Sequence, residues 1–215
     1  MRRCQYIELG LVEYGEAWEF QRALAEQVHQ GQQPDTLLLL EHPHVYTIGR
    51  RGQREEVLLD DEALAQRGVA LHWVDRGGEV TYHGPGQLVG YPIVDIRSLG
   101  GPLRFVRALE RIIIRTLGDL GVQAQPVPGH TGVWVGEEKV AAIGLRISRG
   151  IVTHGFALNV NTDLSYFEHI VPCGITDRGV TSLERLLGRP VEMGLVIYSL
   201  TYHFGRELGL KMVPV

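Results

Sequence analysis

Residues 133–160 read VWVGEEKVAAIGLRISRGIVTHGFALNV, and this stretch decides the fold. Val133 to Val135 is a short run of β-formers. Gly136-Glu137-Glu138 makes a turn, and Lys139 to Ile147 alternates as the second arm of a hairpin. Ser148-Arg149-Gly150 turns the chain again, and Ile151 to Val160 returns as a third strand. Alternate residues of a strand share a face. Lys139 is therefore expected beside Ala141, Ile143, Leu145 and Ile147 on the apolar face, with Val140, Ala142, Gly144 and Arg146 opposite.

The flanks supply further strands and the helices that cover the sheet. Upstream, Pro102 to Leu120 has helical spacing, with Leu103, Val106, Leu109, Ile113, Leu117 and Leu120 expected inside. Pro102 suits its first turn and Gly121 its end. Leu88 to Ile96 reads as strand, and Arg76 to Gln87 as a glycine-rich loop. Val69 to Val74 reads as strand, preceded by a short helix capped by Asp60 or Asp61 and ended by Gly68. Gln5 to Val12, Thr36 to Leu40 and Val45 to Ile48 read as extended. Between the first two, Glu13 to His29 is helical, with Ala17, Phe20, Leu24 and Val28 on one face. Downstream, Asp163 to Ile170 is a short helical turn. Thr181-Ser182-Leu183-Glu184 has capping-box spacing, and Met193 to Leu208 is a last helix. With no internal repeat, low-complexity tract or linker, residues 1–215 are expected to form one α/β (α+β) domain, a mixed sheet flanked by helices.

Composition narrows the function. The chain has 215 residues, 44% of them apolar, enough to bury a core without staples. The formal net charge of −4 does not suggest a nucleic-acid binder. No apolar run is long enough to span a bilayer, and no membrane association is expected. Two cysteines, Cys4 and Cys173, make no disulfide framework, and a reduced cytoplasmic setting is expected. Nine histidines are present, but no His-x-x-x-His or Cys-x-x-Cys pairs occur, so neither a metal site nor a cofactor is expected.

Four segments carry candidate chemistry. In Val171-Pro172-Cys173-Gly174 a thiol sits between a residue that fixes φ and one that permits close backbone approach. Lys139 and Lys211 are the two lysines among 21 basic residues. Lysine can lose its proton when desolvated and arginine cannot. Beside a thiol, a protonated Lys139 would favour thiolate, whereas a neutral one would serve as base. A lysine that merely snorkels outward is the structural alternative. Arg76-Gly77-Gly78-Glu79-Val80-Thr81-Tyr82-His83-Gly84-Pro85-Gly86-Gln87 holds four glycines and a proline in twelve residues, without Walker or dinucleotide spacing. Its His83 either holds the loop or positions a substrate. In Thr153-His154-Gly155-Phe156-Ala157-Leu158-Asn159 the small Gly155 and Ala157 share a face and leave room for a thin ligand. His154 and Asn159 are candidate positioning residues.

Taken in order, the strings RGGEVTYHGPGQLVGYPIVDIR, TGVWVGEEKVAAIGLRISRG and VTHGFALNVNTDLSYFEHIVPCGI resemble the lipoyl(octanoyl) transferases over about Leu38 to Leu187. Tyr166 stands where that family commonly has proline. The resemblance implies the fold of biotin and lipoate ligase catalytic domains. It implies that Cys173 takes octanoyl from octanoyl–acyl carrier protein as a thioester, with Lys139 as its partner. A lysine of a lipoyl domain or of the glycine-cleavage H protein would then receive the group as an amide. The implied substrate contacts are Arg76, Gly77, Gly78, Glu79, Val80, Thr81, Tyr82, His83, Ala142, Ile143, Gly144, Gly155, Phe156 and Ala157. A monomer is expected. Thioester exchange needs no ATP, since the acyl group stays activated. An acidic carrier calls for a basic patch, with Arg50, Arg51, Arg54, Arg146 and Arg149 as candidates. The rival of the same fold is an ATP-dependent lipoate or biotin ligase, which needs no nucleophilic cysteine.

Overall fold

A computed structural model describes residues 1–171 and 179–215. The N-terminal elements are β1 (Arg2–Leu11), α1 (Tyr14–His29), β2 (Asp35–Glu41), β3 (Val45–Ile48), α2 (Asp61–Gln66), β4 (Ala70–Trp73), β5 (Val80–His83) and β6 (Gln87–Ile93). They are followed by α3 (Pro102–Asp119), β7 (Gln125–Val127), β8 (His130–Val135), β9 (Glu138–Ser148), β10 (Ile151–Asn159), α4 (Leu183–Leu187), α5 (Met193–Leu208) and β11 (Leu210–Pro214). A 3-10 turn occupies Leu164–His169. The large sheet runs β11-β1-β2-β6-β10-β9-β8-β7, and a small sheet runs β4-β3-β5. Among the described residues no helix is long and apolar enough to cross a membrane.

The pairing follows from the connections. α1 carries the chain between β1 and β2, which are parallel, as a crossover requires. Tight turns join β8, β9 and β10, which are antiparallel. β2 is buried along both faces. Leu37 and Leu39 enter the core beneath α3 and α5, and Leu38 and Leu40 enter the core beneath α1. That two-sided burial explains the unbroken Leu37–Leu40 run.

Several sequence expectations are corrected. On α3 the buried residues are Phe105, Ala108, Leu109, Glu110, Ile112, Ile113, Thr116 and Leu117, while Leu103 is exposed. At about 100° per residue, Leu103 and Phe105 lie about 160° apart, so one must face outward, and the larger ring goes in. Val106 is only partly buried. On α1, Phe20 is exposed and Gln21 is buried in its place, because the Gln21 amide oxygen accepts the His154 backbone N–H at 2.8 Å. The α4 cap is Ser182, whose hydroxyl accepts from Arg185 N at 3.2 Å, and not Thr181. The glycine-rich segment is not all loop: Val80–His83 pairs with β3. β7 and β11 extend the two sheet edges beyond what the patterning suggested. Asp60 caps α2 through Ala63 N, as expected.

Candidate functional site

β9 and β10 form one wall of a cavity of about 840 Å³. Its lining brings together Lys139, Ala142, Ile143 and Gly144 of β9 with His154, Gly155, Phe156, Ala157 and Asn159 of β10. Arg76, Gly77, Gly78, Glu79, Val80, Thr81 and His83 come from the glycine-rich segment. Tyr82 is not part of the lining. Alternation on β5 turns it into the small-sheet core, where its hydroxyl meets His44 Nδ1 at 2.8 Å. Tyr166 stacks there between His44 and Tyr82, at 4.2 and 4.9 Å.

Lys139 does not sit on the face expected of it. Trp134 pairs with Lys139 and Val133 with Ala141, so Val140 is an extra residue in β9. Cross-strand partners share a face, and the neighbours Val133 and Trp134 point oppositely. Lys139 and Ala141 therefore lie on opposite faces. Val133, Val140 and Ala141 join the core under α3 and α5, while the Lys139 ammonium lies 4.8 Å from the Trp134 ring centroid. This cation–π contact holds the half-buried side chain. Gly132 makes the room. It has φ +130°, and a Cβ there would stand 2.6 Å from Ala141 O and 3.5 Å from Lys139 Cε. The Glu110 carboxylate, buried in α3, accepts the Gly132 N–H at 3.2 Å. On the other side Lys139 N donates to Gly179 O at 2.9 Å, and Thr181 N to Lys139 O at 3.0 Å. Gly179 and Thr181 are thus bonded along Lys139. Cys173 lies outside the described residues.

The small residues have structural reasons of their own. A Cβ on Gly155 would fall 1.9 Å from Gly90 O of the neighbouring strand, and one on Gly144 would fall 3.0 Å from Gly77 O. Gly77 also donates to Leu145 O at 2.9 Å. Arg76 is buried and fixes this loop through Thr47 O at 2.7 Å and Gly77 O at 3.0 Å.

The floor is a buried set of histidines and tyrosines. His42 Nδ1 donates to Val12 O at 2.6 Å, and its Nε2 meets Tyr91 Oη at 2.7 Å. Burial pushes its pKa down to about 4. Burial likewise drives His83 well below the usual range and raises Tyr91 well above its own. His154 has φ +56°. That left-handed turn delivers its ring to the α1 side, where Nε2 meets Asp75 Oδ1 at 2.8 Å. Desolvation lowers its pKa, with Asp75 opposing. Tyr14, Gln87 and Tyr91 also line the cavity and were not singled out in the sequence. Gln87 ends the glycine-rich string, and Tyr14 opens a helix; neither carries a composition signal.

The comparisons with known proteins agree with this geometry. The family model for the lipoyl protein ligase A/B catalytic domain matches residues 13–205. The octanoyltransferase of Acidobacterium capsulatum is 53% identical over 223 residues, covering 96% of this chain and 91% of that protein. The chain belongs to the octanoyltransferase family. As an octanoyltransferase it is an acyltransferase that moves octanoyl groups in lipoate assembly. Solved ligases share its fold. The bi-partite lipoate protein ligase of Thermoplasma acidophilum has a TM-score of 0.75 at 20% identity, covering 100% of this chain and 87% of that one. The biotin protein ligase of Aquifex aeolicus has a TM-score of 0.54 at 13% identity, covering 97% and 70%. The mixed α/β architecture expected from the sequence is thus borne out, and the ATP-dependent alternative shares the fold alone.

One further expectation changes on the octanoyltransferase scaffold. Of the five arginines offered as a basic patch, four carry an ion pair: Arg54 with Asp61, Arg146 with Asp75, Arg149 with Glu26 and, at 4.0 Å, Arg51 with Glu79. Arg50 and Arg51 are exposed and line the cavity. Cys4 is fully buried, and desolvation pushes its thiol up to about 12, which removes it as a nucleophile.

Proposed function

We propose that Cys173 carries octanoyl as a thioester, that Lys139 assists that thiol, and that the donor and acceptor are octanoyl–acyl carrier protein and a lysine of a lipoyl domain or H protein. In the first step the Cys173 thiolate attacks the donor carbonyl. A new C–S bond forms, the old one breaks, and the carrier thiol leaves. In the second, the acceptor amine attacks the enzyme thioester, an amide C–N bond forms, and Cys173 leaves as the thiol. The octanoyl chain lies along the β9 wall from Ala142 to Ile147, with Arg76 to Thr81, His83 and Gly155 to Ala157 around it. The exposed Arg50 and Arg51 attract an acidic carrier to the mouth. A reduced cytoplasm keeps such a thiol free.

The observation that carries this reading is the setting of Lys139. It is fixed over Trp134 on the cavity wall, and the chain segment Gly179–Thr181, which follows residues 172–178, is bonded along it. Intact mass spectrometry after mixing with octanoyl–carrier protein tests it. One octanoyl adduct, removed by hydroxylamine, is expected on the unmodified chain and none on Cys173→Ser. A hydroxylamine-labile adduct on Cys173→Ser would overturn the assignment.

A further inference from the structure

We infer that Gln87 and Asn159 set the tautomer of His83 so that its Nε2 receives the incoming amine of the acceptor lysine, an inference that rests on the two-step function proposed above. The logic begins at a backbone carbonyl, which can only accept. Asn159 Nδ2 donates to Thr181 O at 3.0 Å, so Asn159 presents its oxygen to Gln87. Gln87 Nε2 donates to that oxygen at 2.9 Å and to Tyr82 O at 3.2 Å. With both amide hydrogens committed, Gln87 has only Oε1 for His83 Nδ1, at 2.7 Å. An amide oxygen accepts, so Nδ1 bears the hydrogen. The ring is neutral, since burial holds its pKa well below the usual range, and Nε2 is left with its lone pair.

The ring cannot easily turn to undo this. It stacks on Tyr14 at 5.9 Å and meets the edge of His42 at 5.7 Å. Gln87, Asn159 and Thr181 are almost wholly buried. His83 lines the same cavity as Lys139, and Nε2 takes no hydrogen bond among the described residues. Thr181 also donates its N–H to Lys139 O at 3.0 Å, so one framework holds both side chains.

A fixed acceptor in this wall selects for a donor. The octanoyl chain and the thioester carbonyl have no N–H or O–H; the attacking amine does. One amine N–H donates to Nε2 and aims the nitrogen lone pair at the carbonyl carbon. As C–N forms and C–S breaks, sulfur leaves with its electron pair. The other amine hydrogen ends on that sulfur, and His83 keeps its protonation state throughout. Gln87 and Asn159 are positioning residues.

Two measurements test this. Long-range proton–nitrogen NMR of the His83 ring should show a protonated Nδ1 and an unprotonated Nε2; the reverse pattern overturns the relay. Stopped mixing with mass detection then separates enzyme acylation by octanoyl–carrier protein from discharge to a lysine-bearing lipoyl domain. Gln87→Leu should slow discharge about tenfold or more, with acylation changed less than about twofold. The same spectrum of Gln87→Leu should lose the fixed pattern of a protonated Nδ1 and an unprotonated Nε2. Equal slowing of both steps, or an unchanged ring pattern in Gln87→Leu, overturns the use of His83 for the amine. If the unmodified chain forms no adduct, the two-step function fails first, and the spectrum still decides the tautomer.

Discussion

Replacing Gly132 by alanine should damage the Lys139 corner in a way that a matched control does not. Gly132 holds φ +130°, and an added Cβ would stand 2.6 Å from Ala141 O, a backbone atom of the paired strand. The unfavourable φ costs about 1–3 kcal/mol, and forcing two sheet strands apart costs about 1–3 kcal/mol more. The sum, about 2–6 kcal/mol, lowers Tm by roughly 5–20 °C for a chain of this size. Gly136 is the control. Its φ is +58° and nothing lies within 4 Å of an added Cβ, so Gly136→Ala bears only the conformational cost of about 1–2 kcal/mol. Thermal unfolding of both variants gives the packing part by difference. Octanoyl transfer, assayed well below both transitions, should fall at least about tenfold in Gly132→Ala, because the shift separates β8 from the bulge that aims Lys139. If the two variants unfold within 2 °C of each other (about 1 kcal/mol), close packing at Gly132 is not what holds this corner.

Three further outcomes are expected. Lys139→Arg should keep the fold and lose most transfer activity; near-normal turnover would show that a fixed cation suffices, without proton transfer. The folded-state pKa of His42 lies below its unfolded value, at about 4, so its contribution to stability is complete above about pH 6.5 and is lost as pH falls toward 4. That shift corresponds to roughly 3 kcal/mol, and chemical denaturation at pH 7.5 and pH 5 should show the fall, smaller in His42→Gln. Arg50→Gln with Arg51→Gln should raise KM for octanoyl–carrier protein and flatten its salt dependence, with kcat changed little; an unaltered salt profile would remove these arginines from carrier docking.

How much was legible depends on how local the cause was. The strands of 133–160, the α5 limits and the Asp60 cap follow from alternation, helical spacing and one side-chain oxygen, all within a few residues. His83, Asn159 and the Arg76 loop, singled out in separate strings, line one cavity. Tyr82 was read as part of the site because it lies inside the string, but strand alternation within β5 points it away. Phe20 gave way to Gln21 because a distant backbone N–H, that of His154, needed an acceptor. The arginine patch shrank for the same kind of reason: Asp75 and Glu26, far along the chain, hold Arg146 and Arg149.

By itself, then, the amino-acid order determined the elements, the family and the rarity of lysine that drew attention to residue 139. Only the tertiary structure decided which way that lysine faces. One extra residue at Val140 reverses the parity of every side chain on one side of it relative to the other. Valine is an ordinary strand residue, so nothing local marks the bulge. It exists because β8, the Glu110 carboxylate and the Gly179–Thr181 segment grip the two sides of Lys139 at once. Glu110 and Gly179–Thr181 lie more than twenty residues from Lys139 in sequence and reach it only when the sheet is assembled.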